Sequence, residues 1–190
     1  MFRSTSIGLA ALLFAALPAT AQHHGAGAHH GGGHAMPHAH GAPASPYAGE
    51  QKRTIKALSE QEQRGWLEGQ GMGLARAAEL NGYPGPMHTL ELADALRLSP
   101  EQASATRALM QQHKAEAQAL GARLVDAERR LDAAFREQKI DESQVERLTA
   151  EIAQLQGSIR ASHLRTHLAQ RRLLSADQVA AYNRLRGYAQ

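Results

Sequence analysis

Apolar positions recur at three- and four-residue spacings through most of the chain after Glu50, and they predict helices almost throughout. The longest pattern follows Ser99, an N-cap with Pro100 at the first helical position. Its inward positions are Ala103, Thr106, Met110, His113, Ala117, Leu120, Leu124, Ala127, Leu131 and Ala134, and the helix is predicted to reach about Gln138. Lys139 and Ile140 make a short connection, and Asp141 caps a return helix to about Arg172. The return seam is Val145, Leu148, Ile152, Leu155, Ile159 and Ser162. A last helix starts at the Ser175 cap and carries Val179, Tyr182 and Leu185 inward. Glycines 121 and 157 interrupt the two long patterns and read as tolerable inside long helices.

Upstream, Ser59 followed by Glu62 is a capping-box pattern, and that helix runs to about Glu68. The run Gly69-Gln70-Gly71-Met72-Gly73 is too rich in glycine to continue it. With neither a preceding strand nor a GKS/T element, that run is not a phosphate loop. Short helices follow over Leu74 to Leu80 and Met87 to Arg97, separated by the rigid turn Tyr83-Pro84-Gly85-Pro86. The predicted fold is all-α. It is a long antiparallel hairpin with additional shorter helices, in a dimeric four-helix-like or cradle arrangement. The alanine-rich hairpin leaves apolar surface that a homodimer would cover; the competing arrangement is a monomer lidded by the helices before Arg97.

Two segments precede this domain, which spans 50–190. Residues 1–21 combine Arg3, an apolar run from Ile7 to Leu17 and a small-x-small site at Ala19-Thr20-Ala21. That is the pattern of a cleaved signal peptide and predicts export, to the periplasm or to the extracellular medium. The apolar run falls short of the roughly 20 residues that a membrane-spanning helix requires. Residues 22–49 are a Gly/Ala/Pro/Ser-rich tail, expected to be disordered without a ligand. It holds His23, His24, His29, His30, His34, His38 and His40, a composition suited to imidazole-binding metals, although such tails also serve as spacers.

Composition narrows the chemistry. The 190 residues contain no cysteine, which excludes disulfides, thiolate metal sites and cysteine nucleophiles. A formal net charge of +3 is too small a bias to argue for nucleic acid. Neither an HExxH motif nor a nucleophile triad occurs, so an enzyme is not expected.

His163 and His167 lie four apart and can bite one ion from one helix face. A turn centred near residue 139.5 makes antiparallel partners sum to about 279, which sets His113 opposite residue 166. Three histidines then meet at one level of the hairpin. Glu116 and Met110, three residues either side of His113, are the candidate fourth ligands. A carboxylate there favours zinc, nickel or cobalt, and a thioether favours copper.

Leu98-Ser99-Pro100-Glu101-Gln102 and Leu174-Ser175-Ala176-Asp177-Gln178 each place a leucine, a hydroxyl cap and a glutamine at a helix start. With the degenerate Leu58-Ser59-Glu60-Gln61, they resemble the repeats of the periplasmic LTxxQ-motif proteins, the Spy/CpxP-like chaperones and related heavy-metal sensor and resistance proteins. Segments 71–86, 163–167 and 185–188 carry the same likeness. The resemblance implies an all-helical, commonly dimeric fold and a role in metal resistance or envelope stress. It also implies, as the alternative, an ATP-independent chaperone for unfolded periplasmic proteins, or an adaptor for a membrane-bound signalling partner.

Overall fold

A computed structural model describes residues 45–188, and every regular element among them is helical. The predicted signal segment and all seven tail histidines lie outside the described residues. After a 3-10 turn at Glu50–Lys52 come α1 (Glu60–Leu67), α2 (Arg76–Glu79), α3 (Pro86–Glu91), α4 (Pro100–Arg136), α5 (Glu142–Leu173) and α6 (Ala176–Leu185). Helix α4, with 37 residues, is about 55 Å long at 1.5 Å per residue. Among the described residues, no helix is long and apolar enough to cross a membrane.

The caps explain where the helices begin. Ser59, Ser99, Asp141 and Ser175 each accept a hydrogen bond from the backbone N–H three residues on, and the side chain at that position accepts in return from the cap's own N–H. Both kinds of bond satisfy amides that a helix start leaves without partners. Gln138, at a φ of 55°, closes α4 and turns the chain toward Asp141.

Helices α4 and α5 pair as the antiparallel hairpin. Leu124 and Ala127 meet Ile152, Leu155 and Ile159 in its core, with Trp66, Leu74, Leu120 and Leu131 packed around them. A second cluster, Ile55, Leu58 and Val125, lies beneath the same Trp66. The segment through α1 thus covers the flank of α4. It comes so close that a Cβ on Gly121 would stand 2.0 Å from the Trp66 carbonyl oxygen. Gly121 is therefore a point of backbone contact, a stronger role than the tolerable interruption its sequence context suggests.

The two LSxxQ segments meet at the open end of the hairpin. Gln102 and Gln178 exchange side-chain amide hydrogen bonds, each 2.9 Å long. Gln102 Nε2 also donates to the Leu173 carbonyl at 2.7 Å, and Gln178 Nε2 to that of Leu96 at 3.2 Å. Each glutamine oxygen meanwhile accepts from the backbone N–H of its own cap serine. The repeated motif is a clasp between two helix starts.

Three expectations change in detail. The short helices shrink to Arg76–Glu79 and Pro86–Glu91. Residues 92–97 continue only as turns, which end at Arg97, at a φ of 50°, ahead of the extended Ser99. Leu185, expected inward, is 52% exposed.

Candidate metal centre

The hairpin register brings His113 of α4 to His163 of α5. His113 Nε2 lies 2.9 Å from His163 Nδ1, with the rings nearly edge to face at 73°. His113 Nδ1 lies 3.2 Å from Ser162 Oγ, which donates to Glu116 Oε2 at 2.8 Å. The other Glu116 oxygen accepts from Arg165 at 2.9 Å. Ser162 and Ala117, both small, are buried near this level.

His163 is only 5% exposed, and its Nε2 is buried with no hydrogen-bond partner. Burial favours the neutral ring, and charge on His113 or His167 would add repulsion; together they pull the His163 pKa down to about 4. Burial also lowers that of His113, partly offset by the nearby Glu116 carboxylate. Both shifts favour the neutral imidazole.

His167, one turn along α5, is anchored from another direction. Its Nδ1 is 2.7 Å from the Tyr83 carbonyl and 3.6 Å from Glu79 Oε2. The ring rests against Gly85, where a Cβ would come within 2.9 Å of Cε1 and 3.0 Å of Nε2. The sequence-predicted trio therefore divides into a bonded His113–His163 pair and His167 on the 83–85 turn. Glu116 joins the pair through Ser162, and Met110 is half-buried one turn before His113.

Glu79 belongs to no sequence pattern that marks it as part of this site. This carboxylate accepts from the Tyr182 hydroxyl and lies 3.6 Å from His88 Nδ1 and 3.8 Å from Arg186 Nε. Burial and the Glu79 hydrogen bond raise the Tyr182 pKa. Glu79 Oε2 is also buried without a hydrogen bond, as are Gln170 Oε1 and Asn183 Oδ1. Only the reach of Tyr182 from α6 to the 79–88 segment could have pointed to it, and that contact spans 103 residues. Among the described residues, no three His, Asp or Glu side chains already stand gathered as a metal-holding group. The donor chemistry nevertheless fits an ion, because lone pairs on His163 and Glu79 are buried and unanswered.

No curated relative and no solved structure matches the chain. A family described as heavy-metal resistance matches residues 69–181, more than half of the chain and all of the hairpin with its histidines. The chain belongs to this heavy-metal resistance family, of LTxxQ type and Spy/CpxP-like.

Proposed function

We propose that this protein binds divalent transition-metal ions in the periplasm and acts in heavy-metal resistance. The observation that carries the reading is the buried, unpartnered Nε2 of His163, beside His113 and one turn from His167. Imidazole donors near carboxylates suit zinc, nickel, cobalt or copper(II). The seven tail histidines supply a second class of site.

Calorimetric titration with zinc tests both classes. The full chain is compared with a full-length variant in which the seven tail histidines become alanine. The variant is expected to bind fewer ions but to retain a helical site. Equal stoichiometry removes the tail from the account, and no binding by the variant removes the helical site.

A groove at the hairpin tip favours a second reading, a chaperone for unfolded clients. Ala57, Leu131 and the exposed Phe135 line it together with Lys56, Asp132 and Arg136. Strong, metal-independent suppression of client aggregation, lost in Phe135→Asp, would make this the primary role.

A further inference from the structure

The hydrogen bonds around His163 fix where every proton sits. A serine hydroxyl has one proton, and that of Ser162 goes to the Glu116 carboxylate. Toward His113 Nδ1 it must then accept, so His113 carries its proton on Nδ1. The Nε2 of that neutral ring is a lone pair, and the His163 nitrogen facing it must donate. His163 thus has its proton on Nδ1 and a lone pair on Nε2, the atom left buried without a partner.

His167 reaches the same state by another route. A carbonyl only accepts, so the contact with Tyr83 places a proton on Nδ1 and, in the neutral ring, a lone pair on Nε2. Gly85 has no side chain to crowd that nitrogen. The four-residue spacing places both rings on one face of α5. Glu79 Oε2, without a hydrogen bond and 3.6 Å both from His167 Nδ1 and from the point a Gly85 Cβ would occupy, brings negative charge to this place.

Within the metal-binding reading, we infer that Nε2 of His163 and Nε2 of His167 hold the ion, and that His113 is a positioning residue, not a ligand. The line Glu116–Ser162–His113 orients the His163 ring, fixes its tautomer and makes Nε2 a better donor, as carboxylates behind metal-bound histidines do. Glu116 acts through this line and not on the ion.

The test uses the full-length chain with the seven tail histidines replaced by alanine, labelled with 15N in its imidazoles and titrated with zinc(II). Before zinc, long-range 1H–15N spectra are expected to show the Nδ1–H form for His113, His163 and His167. Zinc is expected to move the Nε2 signals of His163 and His167 and to leave His113 with its proton on Nδ1. Ser162→Ala removes one buried oxygen and keeps both rings. It is expected to release His113 into a mixture of tautomers and to weaken zinc binding about 10- to 100-fold while the same two nitrogens bind. A merely structural role for Ser162 gives no reason for the tautomer to change.

Zinc-bound nitrogen on His113, a proton on His163 Nε2, or unchanged affinity in His163→Ala overturns the assignment and leaves the metal-binding reading standing. No zinc effect on any of the three rings overturns the assignment together with the helical metal site.

Discussion

Substituting Gly121 by alanine sets two effects against each other. In a helix interior, alanine is favoured over glycine by roughly 0.5–1 kcal/mol. The new Cβ would however lie 2.0 Å from the Trp66 carbonyl oxygen and 2.7 Å from its carbon. A comfortable carbon–oxygen approach is about 3.3 Å, so α1 would have to withdraw by more than an ångström. Both clashing atoms are backbone, and no rotamer change removes them. Withdrawal loosens Trp66, which packs on both apolar clusters. Overpacking of this kind costs about 1–3 kcal/mol and outweighs the propensity gain. Gly157→Ala is the control. It lies in α5, where an added Cβ would meet nothing within 4 Å, and is expected to stabilise by about 0.5–1 kcal/mol. Urea unfolding of the metal-free protein measures both. The fluorescence of Trp66, the one tryptophan in the chain, reports α1 docking directly. A Gly121→Ala protein as stable as wild type, with unchanged tryptophan emission, would refute the close approach of α1 to α4.

Acid should weaken the metal-free fold through His163. Its folded pKa of about 4 lies below the ordinary 6.5, so the unfolded chain takes up the proton first. Stability is intact above about pH 6.5 and declines by about 3 kcal/mol as pH falls toward 4; unfolding at pH 7.5 and 4.5 measures it, and a His163→Gln variant with the same slope as wild type would count against it. The Gln102–Gln178 clasp should couple the two LSxxQ segments. Gln102→Ala and Gln178→Ala are each expected to cost about 1–2 kcal/mol, with the double variant short of their sum by at least about 0.5 kcal/mol. Strict additivity in a double-mutant cycle would contradict the exchange.

What the sequence reveals here is mostly local. Ser59, Ser99, Asp141 and Ser175 announce their helix starts because a cap acts within three residues. The hairpin register is also legible, because one short turn fixes it, and it brings His113 to His163. The 82–86 turn decides where His167 points, and no helical period describes that turn. The Tyr83 carbonyl and Glu79 reach it from over 80 residues away. Gly121 looks like an interruption of a helix until α1 is laid across it. The glutamines of the two LSxxQ segments look like parts of separate caps, and their mutual bond spans 76 residues.

Metal-dependent thermal stability reports whether the helical histidines hold an ion. The protein is the full chain with its seven tail histidines replaced by alanine, at pH 7.5, with and without zinc. An ion that binds only the folded state adds about 2.7 kcal/mol when free zinc is a hundredfold above Kd. A clear rise in Tm is expected, and it disappears in the His163→Ala, His167→Ala double variant. No rise, or an equal rise in the double variant, would contradict this expectation.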